Sequence, residues 1–277
     1  MSTRRTSSVI PGFGLTMGYT IVYLSLIVLI PLAGLFFKMG SGDWQHIIEV
    51  ITSPRVLAAF RVSLLTSLGA ALANGVIGLL IAWVLVRYPF SGRKFVDALI
   101  DLPFALPTAV AGIALTSLYS PKGWMGQLFG EIGIKIAYTP LGISLALLFI
   151  GLPFVVRTIQ PVLQDAETDV EEAALTLGAS RWVTFWKVIL PTLLPSWLTG
   201  VSLAFARGIG EYGSVVFISG NMPMKTEIVP LLIITQLEQF DYVAAASIAV
   251  VMLLLSFLML FVINTLQWLA RRRMQNT

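Results

Sequence analysis

Long runs of apolar residues make up most of the chain, and short polar stretches separate them. A helix of about 20 residues spans the roughly 30 Å of hydrocarbon in a bilayer, and six apolar runs reach that length. The runs are Met17–Phe37, Val62–Val86, Val96–Tyr119, Leu141–Gln160, Pro195–Ser219 and Tyr242–Leu266. The pattern predicts an all-α, polytopic membrane protein with six transmembrane helices, and the first run reads as a retained span. We expect one transmembrane domain over residues 1–277.

Basic residues between the runs predict the orientation. Arg87 and Arg157 fall on the same side as the two termini, as do Arg4 with Arg5 and the run Arg271–Arg273. Fewer basic residues fall on the opposite side. Cytoplasmic loops carry an excess of Lys and Arg, so both termini are expected in the cytoplasm.

Composition narrows the class of function. The chain is 57% hydrophobic and 12% charged, and its mean hydropathy is +0.87. Soluble domains carry about 25% charged residues, so a lipid membrane is the expected surrounding. The chain has no cysteine and only one histidine, His46, and no phosphate-loop motif. We therefore expect a transporter subunit rather than an enzyme, without a metal or cofactor of its own. Topology explains the net charge of +4, and no nucleic acid is expected as a partner.

The connection over residues 161–194 is longer and more polar than the other loops, and it predicts a short helix. Thr168 and Glu171 fit a capping box, in which the hydroxyl and the carboxylate each satisfy a free backbone N–H. Gly178 is suited to the C′ position that ends the helix. Small apolar residues repeat between them at helical spacing: Val170, Ala173, Ala174 and Leu177. This face can enter a groove of a soluble partner, or it can pack on the protein itself or on the lipid interface.

A second short helix is predicted directly afterwards. Ser180 can cap it, and Pro191 should limit its continuation. Its apolar face holds large residues, which are suited to packing against the body of the protein: Trp182, Phe185, Trp186 and Ile189. A DNA-binding helix-turn-helix has a similar outline, but acidic residues line the first helix and membrane spans flank the pair, which argue against it.

The segment EEAALTLGASRWVTFWKVILP resembles the EAA loop in the membrane subunits of binding-protein-dependent ABC importers. The match comprises Glu172-Ala173-Ala174, Gly178 and Leu190-Pro191, with Val188 in place of the usual isoleucine. The resemblance implies a coupling helix that sits in a cleft of a cytoplasmic ATPase subunit and moves when the ATPase dimer closes. It implies these coupling residues: Glu171, Glu172, Ala173, Ala174, Leu177, Gly178, Ala179 and Arg181.

Three further stretches resemble the sulfate/thiosulfate permeases, which have a MetI-like fold. They are Asp101–Gly112, Gly210–Asn221 and Gln236–Ala249, and the last points to the T-type member of a two-permease pair. The resemblance implies a W-type permease partner, two copies of a sulfate-transport ATPase that binds ATP-Mg, a periplasmic binding protein, and the bacterial inner membrane. Molybdate or tungstate permeases are close relatives and remain an alternative. A carrier driven by an ion gradient is the alternative from another class.

Two opposite charges fall inside the fifth run. Arg207 lies near its middle, and Glu211 follows four residues later on the same helical face. One reading is that Arg207 faces the translocation pathway and lowers the barrier for a divalent oxyanion. The other reading is a buried ion pair that fixes the packing of the spans. The pattern G-x-G-x-x-G in this run lacks the soluble βαβ unit that dinucleotide binding needs.

Prolines and hydroxyls mark the third run. Pro103 and Pro107 predict a kink or break there, as Gly208 and Gly210 do in the fifth run. Three hydroxyls are candidates for the pathway, although such groups also bond to their own helix: Thr108, Thr116 and Ser117. Asp97 and Asp101 suit the start of the third helix. The apolar part of residues 221–241 is too short to span, so it predicts a re-entrant or interfacial helix.

Overall fold

The computed structural model describes residues 13–166 and 168–275, and this described part is helical, without a β-strand. The helices are α1 Phe13–Gly40, α2 Trp44–Thr52, α3 Pro54–Arg87, α4 Arg93–Ile100, α5 Leu102–Ala105, α6 Thr108–Tyr119, α7 Trp124–Glu131, α8 Pro140–Asp165, α9 Thr168–Thr176, α10 Arg181–Ile209, α11 Val215–Ile218, α12 Val229–Glu238 and α13 Tyr242–Gln275. The all-α prediction is confirmed. Arg4 and Arg5 lie outside the described residues, and the orientation of the termini stays a prediction.

Five of the described helices are long and apolar enough to cross a membrane, namely α1, α3, α8, α10 and α13. The prediction of one helix over Val96–Tyr119 is wrong, because this run folds as α4, α5 and α6. Pro103 is the second residue of α5, and Pro107 precedes α6. Leu106 is extended, with ψ of 136°, as proline imposes on the residue before it. The break expected at the two prolines is therefore present.

The centre of the bundle is formed by α3, α8 and α10. Asn74 lies against Gly151, and Gly78 lies one turn further along against Val155, so α3 and α8 run parallel. Because they are parallel, the chain between them has to return across the bundle, and the broken segment α4–α6 makes that crossing. We call the end where α3 and α8 begin the outer end, and the end where they finish, which is expected to face the cytoplasm, the inner end.

The three central helices approach closely through small residues, as is usual for helices that pack within lipid. The indole N–H of Trp197 on α10 donates to the carbonyl of Gly75 on α3 at 2.8 Å. A Cβ atom added to Gly200 on α10 would lie 2.3 Å from Thr158 Oγ1 and 2.8 Å from the Cα of Val155. Such distances leave no room for a methyl group, so close packing here depends on glycine.

Replacing Gly200 with alanine should therefore lower the unfolding temperature of the purified protein in detergent. Overpacking of this kind costs about 1–3 kcal/mol. Gly69→Ala on α3 is the matched control, because an added Cβ there meets nothing within 4 Å. Thermal unfolding compares the two variants, and equal unfolding temperatures would contradict the close approach of α8 and α10.

Helix α10 begins earlier than the predicted span Pro195–Ser219. Pro191 was expected to limit the helix that follows Ser180, and this prediction is wrong, because α10 is continuous from Arg181. A wide π-helical turn, Phe185–Ile189, ends two residues before the proline. Proline lacks an N–H and clashes with the carbonyl four residues before it, and a π-turn relieves both conflicts. The predicted second short helix is thus the inner end of α10.

The outer end of α10 also differs from the predicted span. The helix stops at Ile209, Gly210 caps it, and the chain becomes helical again only at α11. Gly208 lies beside Ser67 of α3 and Leu147 of α8, so α10 ends within the depth of its neighbours rather than beyond them. The expected bend at the glycines is therefore a complete break inside the bundle.

Helix α12 occupies the apolar part of residues 221–241. Val229 and Leu232 are buried, and the Val229 N–H donates to Ser63 Oγ of α3 at 2.9 Å. Ahead of it, the buried Glu227 accepts two hydrogen bonds from Arg55, at 2.6 and 2.8 Å. The first turn of α12 is therefore buried against α3, and the choice between a re-entrant and an interfacial helix stays a prediction.

Candidate functional site

The coupling segment consists of α9 and the turn that leads into α10. Gly178 has a φ of +84°, and it donates to the Leu175 carbonyl at 3.0 Å, while the Ala179 N–H donates to the Ala174 carbonyl at 3.0 Å. This is the Schellman pattern of hydrogen bonds. The predicted role of Gly178 as the C′ residue is confirmed. Ser180 accepts a hydrogen bond from the Val183 N–H at 3.4 Å, as its predicted cap role requires.

The small-residue face of α9 is open among the described residues. Leu177 is 89% exposed and Val170 is 52% exposed. Ala173 is exposed, Ala174 is half-buried, and the neighbouring Glu172 is also exposed. An apolar face that is uncovered at the inner end, next to a charged residue, has the character of a docking surface.

Glu171 points to the body of the protein instead. Its Oε1 accepts a hydrogen bond from Nη2 of Arg87, the last residue of α3. The side chain of Thr168, the other half of the predicted capping box, lies outside the described residues. The adjacent acidic residues of α9 therefore face different surroundings, since Glu171 is half-buried and Glu172 is exposed. Arg181, at the start of α10, is exposed.

The large residues that follow are divided between two environments. Ile189 is buried in the central cluster, and Phe185 packs edge-on against Trp83 at 5.6 Å between ring centroids. Trp182 and Trp186 are 71% and 57% exposed and stack on each other. The predicted packing against the body is right for Ile189 and Phe185 and wrong for the two tryptophans. Tryptophan is enriched at membrane interfaces, which suits these two exposed rings.

The charged turn, defined as Arg207 to Ser214, lies at the outer end of α10. Arg207 is in the last turn of the helix, not near the middle of a span as predicted. Its Nη1 lies 2.6 Å from Oε2 of Glu211, while Oε1 of Glu211 accepts hydrogen bonds from the N–H and the hydroxyl of Ser214, at 3.0 and 3.1 Å. The carboxylate thus contacts Arg207 at the end of α10 and Ser214 directly before α11, on both sides of the break. The Glu211 side chain is 2% exposed, whereas that of Arg207 is 38% exposed.

One of the three predicted hydroxyls lies beside the charged turn. A Cβ atom on Gly213 would be 2.2 Å from Thr108 Oγ1, so the start of α6 touches the turn. Thr116 donates to the carbonyl of Gly112 in its own helix at 2.7 Å. Thr116 and Ser117 lie about 12 Å further along α6. The structure therefore brings Thr108 to the charged turn at Gly213, and it pairs Arg207 with Glu211, but it does not bring Thr116 or Ser117 to this turn.

Two buried polar side chains near the charged turn were not predicted. Ser67 Oγ and both amide atoms of Asn74 have no hydrogen-bond partner among the described residues. A cavity of about 10 Å³ lies between Ser67 and Glu211, close to the space that one water molecule needs. The signal for these residues was their helical spacing along α3, with Ser63 one turn before Ser67.

A second charged cluster joins α4 to α8 at the inner end. Arg157 donates to Asp97 at 2.7 Å and to Asp101 at 2.6 and 2.8 Å. The hydrogen bond from Gln160, followed by the contact with Arg157, holds the pKa of Asp97 below its usual range. These aspartates were expected only to favour the start of a helix, but they bind an arginine that lies about 60 residues away in sequence.

Comparisons with known proteins agree with this architecture. Residues 74–276 match the family described as binding-protein-dependent transport system inner membrane component. The sulfate transport system permease protein CysT of Escherichia coli is 51% identical over 267 residues, which cover 96% of this chain and 95% of that protein. The protein of the same name from Synechococcus elongatus is 53% identical over 254 residues, 91% of each chain.

Two solved structures share the fold at low sequence identity. A bacterial ABC transporter involved in the import of the acidic polysaccharide alginate superimposes with a TM-score of 0.77 at 15% identity, over 94% of this chain and 95% of that one. The MetNI methionine ABC transporter gives a TM-score of 0.59 at 15% identity, over 78% and 95%. The chain belongs to the family of binding-protein-dependent transport system inner membrane components, and it is a multi-pass inner-membrane subunit of a transporter rather than an enzyme.

Proposed function

We propose that this chain is the permease subunit of an ATP-driven, binding-protein-dependent importer of sulfate or thiosulfate, and that it forms half of the translocation pathway. The observation that carries the proposal is the match along nearly the whole chain to proteins named sulfate transport system permease. The cargo is a dianion, so the permease has to provide positive charge along the pathway. Tetrahedral dianions differ little in shape, so selection of the cargo is assigned to the periplasmic binding protein.

Arg207 is the residue that provides this charge. It lies within the depth of the bundle, and its side chain is 38% exposed. An arginine that faces hydrocarbon is costly, so its open side faces a polar pathway or a second subunit. Oε2 of Glu211 lies against Nη1, and a guanidinium has five N–H donors, so donors remain for an oxyanion. Thr108 is the neighbouring hydroxyl, and Pro103, Pro107, Gly208 and Gly210 shape the breaks around it.

Coupling to ATP takes place at the inner end. The exposed face of α9 binds a cleft of the ATPase subunit, through Glu172, Ala173, Leu177 and the turn at Gly178. Since α10 is unbroken from Arg181 to Ile209, it carries the movement of α9 over about 40 Å to the charged turn. ATP-Mg binds to the ATPase, of which two copies act on this chain and its W-type permease partner.

Uptake into proteoliposomes tests this function. The complete importer, with both permeases, the ATPase and the binding protein, should accumulate radiolabelled sulfate only when ATP is enclosed with the ATPase. Excess unlabelled thiosulfate should compete. Competition by molybdate alone would indicate the alternative cargo, and uptake driven by an ion gradient without ATP would refute the importer.

A further inference from the structure

The end of α3 is joined to α9 by a side-chain contact that the coupling helix does not need for its own fold. Nη2 of Arg87 donates to Oε1 of Glu171, and the two side chains are only 16% and 23% exposed. The remaining contacts of α9 with the bundle are mostly with the start of α10, which directly follows it in the chain. The pair therefore connects α9 to a second transmembrane helix.

The same guanidinium also reaches α10 through aromatic rings. Arg87 lies over the ring of Trp83 at 5.9 Å, and Trp83 meets Phe185 edge-on at 5.6 Å. Phe185 is the first residue of the π-turn in α10. Arg87 thus contacts the coupling helix on one side and, on the other, an aromatic pair that joins α3 to α10.

A partly buried ion pair contributes little net stability, because the cost of desolvating two charges offsets their attraction. Such pairs are better suited to fixing the position of one element against another. Glu171 has this contact, whereas its neighbour Glu172 faces outwards. Adjacent residues of the same type therefore have separate tasks, one inside the protein and one on its docking face.

We propose that Arg87 is a positioning residue that fixes α9 to the inner end of α3, so that displacement of α9 moves α3 and α10 together. The inference rests on the proposed function, because α9 has to receive the movement of the ATPase. Without the contact, α9 turns against α10 when it is pushed, and ATP is hydrolysed with less transport.

Charge exchange in the complete importer tests the proposal. Arg87→Glu and Glu171→Arg should each keep the ATPase bound in co-purification, but lower sulfate transported per ATP by about tenfold, the size of a typical coupling between sites. The double variant R87E/E171R should recover most of the loss, because it restores the pair. Glu171→Gln, a milder change, should lower the same ratio. Lys94→Glu removes an exposed positive charge from the inner end and should have no effect.

The outcomes separate this inference from the proposed function. If Glu172→Arg loses the ATPase while the Arg87 and Glu171 variants transport normally, the positioning role alone is refuted. If the Arg87 and Glu171 variants also release the ATPase, the pair serves docking and the positioning role is again refuted. If Glu172→Arg keeps both the ATPase and transport, the proposed docking face is wrong.

Discussion

Arg207→Ala is expected to abolish sulfate uptake by the assembled importer. A hydrogen bond to a charged group contributes about 1.5–3 kcal/mol, so its loss alone would slow transport by about tenfold to a hundredfold. The variant also leaves the buried carboxylate of Glu211 without its cation, and this uncompensated charge repels a dianion. Uptake of labelled sulfate is the measurement, and co-purification of the ATPase shows that the complex still assembles.

A double variant distinguishes a pathway role from a packing role. Arg207→Ala with Glu211→Gln removes both charges, and the glutamine amide can still accept hydrogen bonds from Ser214. If the ion pair only fixes packing, this variant should fold and transport. If Arg207 attracts the anion, it should fold with an unfolding temperature near that of the parent and still fail to transport. Normal uptake by the double variant would refute the pathway role.

Gly178→Val is expected to have the second large effect, on binding of the ATPase. The glycine has a φ of +84°, a region that costs other residues about 1–2 kcal/mol and β-branched residues more. Valine should therefore break the turn after α9 and change the direction in which its exposed face points. Co-purified ATPase and sulfate uptake should both fall to near background.

Gly178→Asn is the matched control, because asparagine tolerates the left-handed region better than other residues. It should keep most of the bound ATPase and most of the uptake. If valine and asparagine behave like glycine, the Schellman turn is not needed for docking, and the role assigned to α9 fails.

Local chemistry explains which parts of the coupling segment were predictable. Glycine at C′, a serine cap and the repeat of small residues act within a few positions, so the spacing alone indicated α9 and its turn. The i, i+4 separation likewise predicted that Arg207 and Glu211 share one helical face, and the structure pairs them. Each of these contacts joins residues that are neighbours in sequence.

Contacts between distant residues were not predictable in the same way. Arg87 and Glu171 are 84 residues apart, and no periodicity connects them. Pro191 reads as a helix stop, but a π-turn that packs Ile189 into the core lets the helix pass. The position of Arg207 in the last turn of α10 was missed because hydropathy averages over the apolar stretch after Ile209 and does not register where the helix ends.

The broken segment α4–α6, which crosses the bundle between α3 and α8, determines what can surround this protein. At the start of α6 the first N–H groups have no acceptor within the helix, and no side chain caps them. Ala109 and Val110 there are exposed. Acyl chains offer no hydrogen-bond acceptor, so lipid cannot cover this surface. We therefore expect the annular lipids to lie elsewhere and the α6 side to face water or a neighbouring subunit, so that a single copy in the bilayer would leave these N–H groups without partners.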